Sequence, residues 1–144
     1  MTNEMLGTVA FIQATWHSEL VDRARQGFVS EFGSDVDTYE VPGAFEIPIV
    51  TAKLARRKRR RPEAIICLGV ILRGETTHAD NVSETVSRLL GEIAVETSVP
   101  VIHEVLLLKN KTQAKARCVL KKTNRGVEAA HSALAMARLI GGVS

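Results

Sequence analysis

The sequence predicts a three-layer α/β sandwich, a four-stranded all-parallel sheet with helices on both faces, and three observations carry that expectation. Short apolar runs alternate along the chain with segments of helical periodicity. The run from Ala64 to Leu72 (AIICLGVIL) is too short for a bilayer and rich in β-branched side chains, as a strand buried on both faces of a parallel sheet must be. It then stops at a polar turn, Arg73-Gly74-Glu75-Thr76-Thr77-His78, placed just beyond a strand's carboxyl end, where open parallel sheets bind ligands.

The first strand is expected over Leu6 to Ala14 (LGTVAFIQA), ended by the polar group Thr15, Trp16, His17, Ser18. Ser18 is the expected N-cap of a helix carrying Leu20, Val21, Ala24, Phe28, Val29 and Phe32, which Gly33 ends. A second strand, Val36 to Val41, runs into a Pro42-Gly43 turn, and Pro48 falls in the first turn of the next helix, where its missing amide hydrogen costs nothing. After the central strand a helix is expected over Asn81 to Thr97, then a fourth strand over Pro100 to Leu108, a short helix over Thr112 to Leu120, a break at Asn124-Arg125-Gly126, and a last Ala-rich helix over Val127 to Ile140.

With 144 residues, 45% hydrophobic and 24% charged, the chain is expected to form one domain over 1–144. No apolar run approaches the ~18 residues of a membrane span, and the N-terminus lacks the basic-then-apolar pattern of a signal peptide, so no membrane association and a cytoplasmic location are expected. Cys67 and Cys118 have neither metal-ligand spacing nor a disulfide framework and read as reduced thiols. The net charge of +3 is local in origin: Arg56 to Arg61 are six consecutive cations, without which 13 basic residues face 16 acidic ones. Such a run is a solvated helix end or loop, suited to the negative end of a helix dipole, or else a polyanion-binding segment. No aromatic residues are interleaved with it to stack on bases, so nucleic acid is not the expected partner.

Several residues land on the carboxyl edge of the expected sheet. His78 is the one group in the Arg73–His78 turn able to take and give a proton near neutral pH, while Thr76 and Thr77 offer hydroxyl and amide donors to an anion at a helix start. Trp16, in a strand-to-helix loop, either packs in the core or stacks on a flat ligand. Gly43, Ala44 and Phe45 offer backbone amides, and Glu46 either favours a helix N-terminus or accepts from hydroxyl and amine groups. His103 interrupts the fourth strand and reads as a hydrogen-bonded core residue rather than a catalyst. Arg117 and Lys121, four apart on one expected helical face, form either a phosphate site or a solvated basic face. No Gly-rich dinucleotide fingerprint and no P-loop occurs.

Four segments together resemble the 6,7-dimethyl-8-ribityllumazine synthase family: Val41-Pro42-Gly43-Ala44-Phe45-Glu46-Ile47-Pro48, Arg73-Gly74-Glu75-Thr76-Thr77-His78 with Asp80, Val99-Pro100-Val101-Ile102, and Asn124-Arg125-Gly126 with Glu128-Ala129-Ala130. The resemblance implies a flavodoxin-like fold and an enzyme of riboflavin biosynthesis. That enzyme condenses 5-amino-6-(D-ribitylamino)uracil with 3,4-dihydroxy-2-butanone 4-phosphate and needs no metal or redox cofactor. It implies His78 as the acid/base histidine, Glu75 and Thr76 as phosphate-side contacts, and Arg117 as a phosphate-binding arginine reaching a neighbouring subunit's site. It further implies Trp16 stacked on the pyrimidine, Ala44, Phe45, Glu46, Val70, Ile71 and Leu72 lining the ring and ribityl chain, and Lys121 as a second cation. A homopentamer follows, and in some members a shell of sixty subunits; the unbroken length from Arg117 to Asn124 is that of shell-forming members. Ala79 and Asn81 stand where the family usually has aromatic residues after the histidine, Leu107-Leu108 where it has polar ones, and Cys118-Val119 where it has a small pair. His103 stands where it usually has Phe on the neighbouring subunit's side of the pocket, which implies a substrate-binding position with a polar wall to the ring site. These departures leave a second expectation open, a flavin- or lumazine-binding or shell-forming homologue with weak catalysis.

Overall fold

The computed structural model describes residues 8–33, 36–75 and 77–143. Its strands are β1 (Val9–Ala14), β2 (Asp37–Val41), β3 (Ala64–Leu72) and β4 (Val101–Leu108). Its α-helices are α1 (Ser18–Phe32), α2 (Ile47–Ala55), α3 (Ala79–Thr97), α4 (Lys111–Cys118) and α5 (Arg125–Gly142). All strand pairs are parallel, in the order β2-β1-β3-β4, which is the expected flavodoxin-like sandwich.

Burial explains the sequence pattern strand by strand. Every residue of β1 and of β3 is buried, since each lies between two neighbours and under helices on both faces. The edge strand β2 buries only Val41 and exposes Asp37 and Glu40, charges that discourage pairing with another sheet. On one face Phe11, Ile66, Leu68 and Leu72 pack against α1, α4 and α5, with the Phe11 and Phe28 rings 5.2 Å apart. On the other face Ile12, Ile65, Cys67 and Ile71 meet Ile47 and Leu54 of α2 and Val86, Leu90 and Ile93 of α3.

Both cysteines are free and buried. Burial pushes the Cys67 thiol up to about 12 against a smaller opposing effect of the Thr51 hydroxyl, and pushes Cys118 up to about 11 with help from the Glu104 charge. Neither is a nucleophile at neutral pH.

Three boundaries differ from the sequence expectation for identifiable reasons. The residue preceding α1 is His17, in the left-handed conformation (φ 60°), and Ser18 is already helical; the helix ends at Gly33 (φ 91°) as expected. The chain does not break through Arg125 and Gly126, because Asn124 caps α5. Its Oδ1 accepts from the amides of Gly126 (2.8 Å) and Val127 (3.3 Å), while its Nδ2 donates to the Cys118 carbonyl (2.9 Å). Gly126 is required by packing instead, since a Cβ there would lie 1.7 Å from the Ala24 carbonyl oxygen on α1. Finally, α4 stops at Cys118 and the chain is extended at Leu120, so Lys121 belongs to a separate 3₁₀ turn, Lys121–Thr123, and shares no helical face with Arg117.

The six cations of the basic run are all exposed, in the loop that leads from α2 to the amino end of β3. Arg56 pairs with Glu96 on α3 (3.0 Å). Among the described residues no helix is long and apolar enough to cross a membrane.

Candidate active site

In the order β2-β1-β3-β4 the chain leaves β1 toward β2 on one side and returns to β3 on the other, so the loops after β1 and β3 diverge and leave a crevice between them. A cavity of about 370 Å³ occupies that place, within the range of small-molecule sites. The loop after β1 is tied to the end of β2, where the Thr15 amide donates to the Val41 carbonyl (2.8 Å) and its hydroxyl to the Pro42 carbonyl (3.2 Å). The left-handed backbone of His17 then turns Trp16 and His17 onto the cavity, and the His17 carbonyl starts α1 by accepting from Leu20 and Val21 (2.9 and 3.0 Å).

The far wall comes from Pro42, Gly43 and the 3₁₀ turn Ala44–Glu46, the third side from Val70, Ile71 and Leu72, and the fourth from Glu75 and from Val82 of α3. Trp16 and Phe45 are large apolar side chains left 66% and 59% exposed, the condition of rings awaiting a flat partner rather than packed in a core. Eight residues expected from the sequence therefore surround one space: Trp16, Ala44, Phe45, Glu46, Val70, Ile71, Leu72 and Glu75. Sequence reasoning passed over His17 as a lining residue. Its Nε2 lies 2.9 Å from the Glu75 carboxylate, a partner 58 positions away. Its place beside Trp16 in a strand-to-helix loop was the available signal.

The other expected residues stand elsewhere. Thr76 lies outside the described residues. His78 immediately precedes α3, is exposed, and accepts from the Val82 amide through its carbonyl (2.9 Å), but it is not part of the cavity lining. Arg117 is exposed on α4 and Lys121 on the following turn, and neither lines the cavity. His103 projects from β4 to α3: the Val105 amide donates to its Nδ1 (3.1 Å), which leaves Nε2 to carry the hydrogen and donate to the Ser87 hydroxyl (2.7 Å). Partial burial pushes its pKa below the ordinary histidine value, in keeping with this neutral tautomer.

On the opposite face of β4 the buried Glu104 receives both Nε (2.9 Å) and Nη2 (3.0 Å) of Arg125, and Arg125 also reaches Glu128. Burial raises the Glu104 pKa, and the Arg125 hydrogen bonds and charge oppose that rise. A larger cavity of about 490 Å³ lies at the amino edge of the sheet, between Arg61, Glu63, Pro100, Leu134 and Arg138. It contains no histidine and no aromatic ring, and it lies away from the strands' carboxyl ends, so the smaller cavity is the candidate active site.

The sequence matches the family model described as 6,7-dimethyl-8-ribityllumazine synthase over residues 7–141. The chain belongs to that family. Proteins called 6,7-dimethyl-8-ribityllumazine synthase from two strains of Clostridium kluyveri are each 42% identical to it over 106 residues, covering 74% of this chain and 68% of theirs. The cavity just described, in this member of the lumazine synthase family, combines two exposed rings, Trp16 and Phe45, the apolar side chains Val70, Ile71 and Leu72, and the carboxylates Glu46 and Glu75.

Proposed function

We propose that this chain condenses 5-amino-6-(D-ribitylamino)uracil with 3,4-dihydroxy-2-butanone 4-phosphate to give 6,7-dimethyl-8-ribityllumazine, phosphate and water, in the cavity between the carboxyl ends of β1 and β3. The observation that carries this reading is the gathering of Trp16, Phe45, Glu46, Val70–Leu72 and Glu75 around one space of about 370 Å³ in a member of this family. The Trp16 indole stacks on the pyrimidine, the aliphatic side chains exclude water, and Glu46 accepts from the ribityl hydroxyls or an amine. The amine attacks the ketone, a C–N bond forms and water leaves to give a Schiff base. Phosphate is then eliminated, and closure of the second ring by the ribityl-bearing nitrogen on the remaining carbonyl carbon forms the second C–N bond and releases a second water. These steps need a proton carrier and an anion site rather than a nucleophilic side chain, and no metal or redox cofactor. His78 is the proton carrier in this proposal, with Glu75 and Thr76 on the phosphate side.

Arg117, Lys121 and His103 serve the site of an adjoining copy, in a homopentamer or in a shell built from such rings. The support for this arrangement is that all three lie outside the lining of the chain's own cavity. The location proposed is the cytoplasm. Mixing the purified protein with both substrates and following lumazine fluorescence tests the reaction, and light scattering of the native protein tests the assembly. Turnover with a mass of five or more chains is the expected result. Binding of the ribitylated ring without product would favour a second reading, a lumazine- or flavin-binding homologue, for which the absence of His78 from the cavity lining is the supporting observation.

A further inference from the structure

We propose that His17 is a positioning residue for the anion-binding side of this site: by holding Glu75 across the crevice, it fixes the turn after β3 and offsets a negative charge that would oppose an anionic substrate. The identity of that anion rests on the functional reading above. The contact itself does not.

Three features single out this pair. The 2.9 Å contact from His17 Nε2 to Glu75 Oε2 joins the two loops that diverge at the reversal in strand order, and it does so between residues 58 apart in sequence. The His17 side chain is only 12% exposed, whereas Trp16 beside it is 66% exposed, so the imidazole is packed in place and not loose on the surface. Its backbone is left-handed, a conformation uncommon for residues with a Cβ and shared among the described residues with Arg60 and Ser98. Here the carbonyl is occupied by the first two amides bonded into α1, and the side chain is drawn to Glu75.

A partly exposed His–Glu pair adds little to global stability, so its effect is local. Glu75 ends the 3₁₀ turn Arg73–Glu75, whose first residue pairs with Asp80 (3.2 Å); among the described residues a Cβ added at Gly74 would meet nothing within 4 Å, and His17 is the tie at the Glu75 end. Among the described residues His17 is the hydrogen-bond partner of the Glu75 carboxylate. Both residues line the cavity. An uncompensated carboxylate in that wall repels an incoming phosphate. An imidazole N–H, charged or neutral, points a positive hydrogen at the carboxylate and reduces that repulsion.

The test compares wild type, His17→Ala, Glu75→Ala and the double variant. Amide hydrogen exchange over Arg73–Glu75 is expected to accelerate severalfold in His17→Ala while β1 and β3 keep wild-type protection. The KM for 3,4-dihydroxy-2-butanone 4-phosphate is expected to rise roughly five- to tenfold, with kcat and the KM for the uracil substrate moving less than about threefold. In the Glu75→Ala background, His17→Ala is expected to change that KM by less than about twofold, because the partner is already gone. Unchanged exchange in the turn, or an equal KM effect of His17→Ala with and without Glu75, overturns the proposal. Should wild type make no lumazine, the functional reading falls, while the exchange measurement still decides whether His17 positions the turn. If alanine at this left-handed position prevents folding, His17→Asn, a residue type that tolerates such a backbone, carries the same measurements.

Discussion

Between β1 and β3 the chain closes a cavity from its own residues, with Trp16 and Phe45 flanking an apolar floor and a His17–Glu75 contact spanning the crevice. At β4 and α4 the groups expected to serve the same substrate are arranged differently: Arg117 and Lys121 face solvent, and His103 is already engaged by Ser87 and the Val105 amide. The cavity with its two exposed rings is thus built within one chain. On the proposed reading, the cations that hold the phosphate are completed between chains. Single substitutions should divide accordingly, with Trp16 and Phe45 altering ring affinity, and His17, Glu75 and the outlying residues altering turnover or phosphate affinity.

The largest effect is expected at His78. His78→Ala should lower kcat by about tenfold to a few hundredfold, the usual worth of one proton-transfer group, and leave the assembly mass unchanged by light scattering. Arg117→Ala is expected to raise the KM for the phosphate substrate by roughly 10- to 100-fold, the equivalent of about 1.5–3 kcal/mol for a charged hydrogen bond. Steady-state kinetics with the phosphate substrate varied would show this, and unchanged saturation would return Arg117 to the solvated surface. Trp16→Ala should weaken lumazine binding by about tenfold in calorimetry, since ring stacking is worth roughly 1–3 kcal/mol.

The smallest effect concerns acid stability. A histidine whose pKa is lowered by folding leaves the unfolded chain binding more protons as pH falls through about 6.5, so stability is lost on acidification. His103→Phe should remove that contribution. The loss of urea-derived stability between pH 7.5 and pH 5 should become smaller, and a variant with the wild-type slope would show that His103 is not the group responsible.

The elements that were legible in the sequence are those whose environment is uniform along their length. Every residue of β3 is buried, so its composition alone declares a central strand. The carboxyl-edge loops after β1 and β3 were legible because each directly follows such a strand. Legibility ended where a residue's role depends on a distant partner. Gly126 read as a chain break, but its real constraint is the Ala24 carbonyl on another helix. Arg117 and Lys121 have helical spacing, yet the helix ends between them. His17 offered only its place beside Trp16, because its carboxylate partner lies 58 positions away and depends on how two strands are placed side by side.

Trp16 is the single tryptophan of the chain, and it stands on the wall of the candidate active site with two thirds of its surface open. When the protein is excited at wavelengths that Tyr39 does not absorb, its own ultraviolet emission therefore originates at that one place. Any molecule that settles against the indole will announce itself as a change in intensity or colour of that light, with no label attached and no reaction required.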